Sequence, residues 1–520
     1  MADETDWKPR HNRYAIALAV TMAAFMEILD TTIVNVSLPH IAGSLSVSPD
    51  DATWTLTSYL VANGIVLAIS GWLGRVFGRK RYFLICIASF TACSFLCGIA
   101  SSLFELILFR LLQGFFGGGL QPNQQSIILD TFPPNQRARA FAITAMATVV
   151  APVLGPTLGG IITDNASWRW IFFINVPFGL VTFFAVTALV DDPPWANIGE
   201  KRVDAIGIAL LALGLGCLQI TLDRGEDADW LGSPFIRVFA LLALVGLVGA
   251  TAWLLWTRRP VVDLRVLGDR NFAVGAVLIF AMAAVLYSSA VVIPQLAQIV
   301  LGYTATLAGY ILSPGALLVV LIIPVVGRVV LPHIQTRFVV LFGFLCLGAA
   351  LFYSSTLTPQ VDFDTLVLMR MAQTFGLGFL FVPISAIAYT TLPREKNGDA
   401  TALFVMCRNV AGSIGISVAT ALVTQRTQIQ MAHLATHLTP YNQPYVDALQ
   451  QRVETLIALG HAPVAAMRVA TGMMYQAFIQ QAQVLAYSDV FRFCAVMALC
   501  VAPLALLFSA RCAGAGATGH

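Results

Sequence analysis

From residue 14 onward the chain is divided into stretches of about 20 apolar residues, at 14–38, 54–73, 82–100, 104–129, 140–163 and 169–190, with most charges gathered between them. A helix needs about 20 such residues to cross a hydrocarbon layer about 30 Å thick. After a polar break from Asp191-Asp192-Pro193-Pro194 to Arg202, eight more follow, at 204–222, 235–256, 271–294, 306–327, 338–357, 365–390, 401–424 and 490–510. A backbone in lipid has to satisfy its hydrogen bonds within its own segment. Fourteen spans therefore predict an all-α polytopic membrane protein with 14 transmembrane helices. Composition excludes soluble domains of this size: of 520 residues, 58% are hydrophobic and 11% charged, where soluble chains carry about 25% charge.

The same composition removes several function classes. Lys+Arg 30 against Asp+Glu 27 leaves no broad basic face for phosphates, so no nucleic-acid partner is expected. The four lysines, Lys8, Lys80, Lys201 and Lys396, are followed by Pro, Arg, Arg and Asn, so no phosphate-binding loop and no direct ATP drive is expected. Eight of nine cysteines fall in apolar stretches and Cys512 in the tail, without a C-x-x-C pair. His433 and His437 have i,i+4 spacing but no evident third ligand, and no H-E-x-x-H or G-x-S-x-G pattern occurs. No metal, cofactor, disulfide or enzymatic activity is expected. Glu27 and Asp30 inside the first apolar stretch argue against a cleaved signal.

With the N-terminus in the cytoplasm, the inner loops and both tails collect 20 of the 30 Lys+Arg, seven lie outside and three within spans. That bias predicts cytoplasmic termini. An offset of 260 sets Arg110, Gln113, Phe115, Gly118, Thr131 and Pro133 against Arg370, Gln373, Phe375, Gly378, Thr391 and Pro393. Gly74-Arg75-Val76 after span 2 is echoed by Gly327-Arg328-Val329 after span 10. The architecture predicted is two six-helix repeats plus two inserted helices. It comprises a cytoplasmic N-tail (1–13), an N-terminal half (14–190), a linker with the inserted pair (191–260), a C-terminal half (261–510) containing an outer segment (425–489), and a cytoplasmic C-tail (511–520). The outer segment has helix-like stretches at 426–438, 445–459 and 463–487, and is either a covering loop or a docking surface for a periplasmic partner.

A charge at the bilayer centre costs about 2.5–3.5 kcal/mol on insertion scales, so an embedded charge marks function by default. Glu27 and Asp30 share one face of span 1, and Arg110, Gln113, Gly114, Gly117 and Gln121 share one face of span 4. Asp30 lies about 12 Å below the outer end of its span and Arg110 about 9 Å below the same surface. Those depths match, and Arg110 is expected to meet Asp30. Glu27, a turn deeper in apolar surroundings, is the carboxylate expected to exchange a proton near neutral pH or to bind a cationic substrate. The alternative is a structural ion pair that fixes helix packing. Arg370 has no acid in its own span, and Arg408, near the inner end of span 13, is expected to snorkel toward the surface. In span 5, Gly155 and Gly159 offer a small face for close helix approach, with Gly160 beside it, while Pro152 and Pro156 remove backbone donors. A hinge or a seal between halves is expected there.

These segments together resemble the major facilitator superfamily, specifically its fourteen-span drug:proton antiporter branch, the EmrB/QacA group, over nearly the whole chain. LDTTIVNVSLP (Leu29 to Pro39) is similar to that branch's helix-1 signature, FRLLQGFFGGG (Phe109 to Gly119) to its helix-4 motif, PVLGPTLGG (Pro152 to Gly160) to the helix-5 antiporter motif, and WRWIFFINVPFG (Trp168 to Gly179) is also typical. The loop GWLGRVFGRK departs from the family pattern by placing Arg75 where an acid is usual. Gly71, Gly78, Arg79 and Lys80 keep that pattern, and the loop is expected to reach the other half through its basic end.

The resemblance implies a major facilitator fold and proton-driven export of a lipophilic small molecule from a bacterial inner membrane, with a periplasmic adaptor and an outer-membrane channel as partners. Coupling is expected at Asp30, Glu27 and Arg110. The expected cavity includes Asn35, Gln113, Tyr287 and Gln373. The competing reading is a proton symporter or facilitator importing a small metabolite.

Overall fold

A computed structural model describes residues 9–133, 136–193, 203–258 and 260–509; the C-tail, most of the N-tail and part of the linker predicted above lie outside the described residues. The described residues form helices joined by short turns. In chain order these are α1 (Arg13–Leu45), α2 (Trp54–Phe77), α3 (Arg79–Ile99), α4 (Leu103–Thr131), α5 (Arg137–Asn165), α6 (Trp170–Leu189), α7 (Ala205–Arg224), α8 (Pro234–Trp256), α9 (Arg270–Val300), α10 (Thr306–His333), α11 (Thr336–Ser354), α12 (Phe363–Ala388), α13 (Asn397–Ala435), α14 (Gln443–Ala458) and α15 (Pro463–Leu507). All but α14 are long and apolar enough to span a bilayer when the bent α5 is taken as one span. Fourteen spans make a multi-pass membrane protein whose first and last described residues share one face, here the terminal face; the opposite one is the distal face.

Local chemistry sets the helix starts. Side-chain oxygens of Ser102, Asp204, Asp269 and Thr304 accept from backbone N–H groups at the starts of α4, α7, α9 and α10, the capping role such residues fill best. Gly78, at φ +84°, makes the turn between α2 and α3, a backbone region where a Cβ is strained.

The polar break divides the chain as the repeat predicts, into α1–α6 and α9–α13 with α15, and the inserted α7–α8 hairpin packs on itself through Gly214 and Gly246. Its α7 lies beside α2, where a methyl on Gly216 would stand 3.5 Å from the Val61 and Ile65 side chains. The helix-5 glycines bring α5 onto α1: a methyl on Gly155 would run into Thr32, and one on Gly159 would stand 2.8 Å from the Ile33 carbonyl oxygen. These two glycines are packing positions within the first half. The seam on this side is made by the opposite face of α5, where Thr157 meets Gly309 and Ala138 meets Gly327 of α10. At the first of its two prolines α5 bends by 42°, between Pro152 and Leu154.

Gly114 makes the tightest approach to backbone in the first half, since a Cβ there would collide with the Tyr59 carbonyl of α2. Gly114→Ala is expected to lower stability by about 1–3 kcal/mol through overpacking against backbone, read as a fall in Tm of the detergent-solubilised protein. Gly43→Ala, which meets nothing within 4 Å, is the control expected to leave Tm unchanged.

The segment 425–489 is a helical projection. α13 is a 39-residue helix, and a further 39-residue helix begins α15. Each is about 58 Å long at 1.5 Å per residue, far more than the bilayer needs, and α14 packs against α15 between them.

Candidate functional site

The polar residues the sequence places on α1 and α4 converge in the core of the first half. Arg110 Nη1 donates to Asp30 Oδ2 at 2.5 Å, and both side chains are wholly buried. Asp30 Oδ1 accepts from Gln113 Nε2 at 3.0 Å and from Asn175 Nδ2 of α6 at 2.7 Å. The guanidinium also donates from Nε to the Thr55 carbonyl at 3.2 Å and from Nη1 to Gln113 Oε1 at 2.8 Å, and lies 4.1 Å from the Tyr59 ring centre. A buried charge pair repays its desolvation only when its remaining lone pairs and protons find partners. Gln113, Asn175 and Thr55 supply most of them here, and Arg110 Nη2 is left without a hydrogen-bond partner among the described residues.

Glu27, one turn away, is also buried, yet its surroundings are polar where apolar ones were expected. Its carboxylate accepts from Asn63 Nδ2 of α2 at 3.0 Å and from the Gln121 amide of α4. The Gly118-Gly119 step loosens α4 between Gly117 and Leu120, and Gln121 follows immediately. The amide oxygen of Gln121 accepts in turn from Arg408 of α13. Arg408 is 1% exposed and sits eleven residues inside its helix, which corrects the expectation that it snorkels to the surface.

A cavity of about 190 Å³ opens between the halves beside Glu27, bordered by Glu27 and Asn35 of α1, Tyr59 and Asn63 of α2, Tyr287 of α9 and Asn409 of α13. Arg110 and Gln121 reach its wall, and so does Gln219 of the inserted α7. Asn35 and Tyr287 thus stand where expected, but Gln113 and Gln373 do not. Both turn into their own half-bundles to complete an arginine's hydrogen bonds: Gln373 Oε1 accepts from Arg370 at 3.4 Å and its amide donates to Ser354 Oγ at 2.9 Å. The repeat is legible in this geometry. Arg370 donates to Ser289 of α9 at 2.9 Å as Arg110 does to Asp30, so the second half keeps the arginine and glutamine but has a hydroxyl in place of the carboxylate.

On the terminal face the halves are joined. A methyl on Gly71 would stand 2.8 Å from the Gly398 carbonyl oxygen. Beside it Arg75 Nη1 meets Asp399 Oδ1 at 2.6 Å, Ser126 and Thr401 hydroxyls are 2.6 Å apart, and Asn397 Nδ2 donates to Asp130 Oδ1 at 3.2 Å. Arg137 donates to the Tyr389 carbonyl at 3.1 Å, and Tyr389 donates its hydroxyl to Gln125 at 3.2 Å. The basic end of the loop was expected to make this link. Instead Arg79 pairs with Asp130 and Lys80 Nζ donates to the Thr187 carbonyl at 2.9 Å, both within the first half. The residue that departs from the family pattern, Arg75, is the one that crosses.

Near the distal face α7 touches both halves. Asp223 accepts from Thr57 of α2, Arg224 Nη1 donates to the Asp50 carbonyl at 3.1 Å, and the Leu222 carbonyl accepts from Ser417 of α13 at 2.6 Å.

Sequence reasoning missed Asn63, Asn175 and Gln219 as well as the placement of Arg408. Each is a lone amide in an apolar run, and only Asn175, inside the Trp168–Gly179 segment, carried any signal.

Two repeated helix bundles around a midplane cavity, sealed at one face by polar contacts between them, define a membrane carrier of the alternating-access kind. The chain belongs to the Major Facilitator Superfamily, whose pattern matches residues 20–416. It is similar to the multidrug export protein EmrB of Haemophilus influenzae, 40% identical over 429 residues that cover 82% of this chain and 84% of that protein. With the protein of the same name from Escherichia coli (strain K12) it shares 38% identity over 443 residues, 85% and 86% of the two chains. A solved structure, the human organic anion transporter MFSD10, shares the fold with a TM-score of 0.58 at 13% identity, over 94% of this chain and all of that one.

Proposed function

We propose that the chain is a proton-driven exporter of lipophilic toxic compounds that works by rocking its two halves around the midplane cavity. The observation that carries this is that Glu27 and Arg110 are buried at the wall of a cavity between the halves, with Asp30 paired to Arg110 behind it. Such charges are costly in a bilayer and mark ion pathways there. The names of the two curated relatives supply the cargo class. The cavity wall is largely apolar, as suits lipophilic cargo held by contact area. One charge crossing 100 mV is worth about 2.3 kcal/mol, so proton entry suffices to drive accumulation outside.

The positive charge of the terminal face assigns it to the cytoplasm, and the structure then has its cytoplasmic side shut. The home is a bacterial inner membrane, and the helical projection on the distal face is the place for a periplasmic adaptor leading to an outer-membrane channel.

Purified protein in liposomes with an acidic lumen is expected to release protons when a lipophilic compound is added outside, as read by an external pH dye. Glu27→Gln, which keeps the amide-compatible shape and removes the charge, is expected to bind the compound and lose at least tenfold of the linked proton flux. Compound movement without proton movement in the wild type would replace this reading with a facilitator.

A further inference from the structure

Among the described residues Arg408 has no carboxylate in ion-pair contact. Its contacts are the Gln121 amide oxygen, the Asn409 amide oxygen at 3.5 Å and the Phe381 ring 5.9 Å away. A guanidinium held this deep without compensating charge would be strongly destabilising. The compensating charge stands one amide away. Gln121 accepts from Arg408 through its oxygen and donates to Glu27 through its nitrogen, so a single planar group links a cation of the second half to an anion of the first. Each of the two bonds polarises the amide in the sense that strengthens the other.

We propose that Arg408 is the positioning residue through which the second half senses the protonation of Glu27, with Gln121 as the connecting amide. When Glu27 is ionised, the relay ties α13 to α1 and α4 at the bilayer midplane. Once Glu27 takes up a proton, the amide donates to a neutral carboxyl, the charge assistance is lost, and Arg408 is released from the first half. A charge-assisted hydrogen bond outweighs a neutral one by roughly two- to thirtyfold in an equilibrium constant, so the closed arrangement is favoured by about that factor through the charge alone. That is enough to bias, not to freeze, an equilibrium between two arrangements of the halves.

Other groups around Glu27 do not offer the same link. Asp30 faces it from α1, Tyr59 from α2, Arg110 from α4 and Tyr287 from α9. Asp30 and Arg110 are paired with each other inside the first half, so their charge does not cross the interface. Neither tyrosine is hydrogen-bonded across it among the described residues. The geometry thus singles out Arg408 among the charges of the second half, since Arg370 is engaged with Ser289 and Gln373 of its own bundle.

The inference rests on the proton-coupled reading above, but its test needs no substrate. Spin labels at Ser44→Cys and Gln360→Cys, exposed distal-face positions of the first and second halves, report the separation of the halves in lipid. In the wild type the distance distribution is expected to shift between pH 8 and pH 5. Arg408→Gln and Gln121→Leu are each expected to abolish that shift and to give at pH 8 the distribution that Glu27→Gln gives. Arg408→Lys, which keeps the charge, is expected to retain part of it. Thermal stability at pH 8 identifies any variant that has simply lost its fold, and Gln121→Leu and Arg408→Gln guard each other against that outcome. A pH shift of wild-type size in folded Arg408→Gln or Gln121→Leu, or no pH shift in the wild type, would overturn the relay. A normal relay in a protein whose liposomes show no substrate-linked proton flux would leave the relay standing and remove the exporter reading instead.

Discussion

Asp30→Asn is expected to reduce substrate-linked proton flux in liposomes to background, a loss of at least a hundredfold, while the protein remains folded. Asparagine keeps the acceptor oxygen that faces Gln113 and Asn175 but leaves the Arg110 guanidinium without its anion. Arg110→Ala is expected to be worse for the fold. It strands a buried carboxylate and empties the space under the Tyr59 ring, and breaking a buried pair from one side costs about 3–5 kcal/mol. Asp30→Asn combined with Arg110→Gln removes both charges and should recover most of the thermal stability lost in Arg110→Ala without any recovery of transport. Separating the two readouts decides between a coupling site and a packing device: wild-type flux in folded Asp30→Asn would make the pair structural.

The second large effect is expected at the terminal-face contact between halves. Arg75→Asp sets a carboxylate against Asp399 where a 2.6 Å ion pair stood, and Asp399→Arg does the converse with two guanidiniums. Each single reversal is expected to cut export at least tenfold by disfavouring the arrangement with this face shut. Together they restore the pair in the opposite sense, and the double variant is expected to regain a large part of wild-type export. The neighbouring Gly71–Gly398 approach and the Ser126–Thr401 hydrogen bond set the register that makes such rescue feasible. Reversals as impaired together as apart would show that the ion pair is incidental to the closure.

The bundle was legible because bilayer thickness imposes one length on every span, and because Arg110 and Gln113 recur 260 residues on as Arg370 and Gln373. The meeting of Asp30 with Arg110 was legible for a related reason: depth along two antiparallel helices is simple arithmetic. Rotation about a helix axis is not. Gln113 and Gln373 share their helix faces with the two arginines, and nothing in their spacing says that they turn inward to serve those arginines rather than outward to a cavity. Arg408 was misplaced because snorkelling is the cheap solution for an arginine a few turns from a membrane surface, and only the neighbouring half-bundle supplies the amide that makes burial tolerable. Arg75 reads in the sequence only as a departure from the family pattern, because its partner Asp399 lies 324 residues later in the other half.

The inserted hairpin has a consequence for lipids. A carrier that parts its halves inside a bilayer opens a slot along the seam, and acyl chains compete with cargo for any apolar slot they can enter. Between α2 and α13 that slot is curtained by α7, which is anchored to one half at Thr57 and the Asp50 carbonyl and to the other at Ser417. The tie to Ser417 is a single hydrogen bond, whereas α2 holds α7 along its length. If the halves rock as proposed, the curtain is expected to travel with the first half and slide over the second, keeping acyl chains out of the slot while the cavity changes sides.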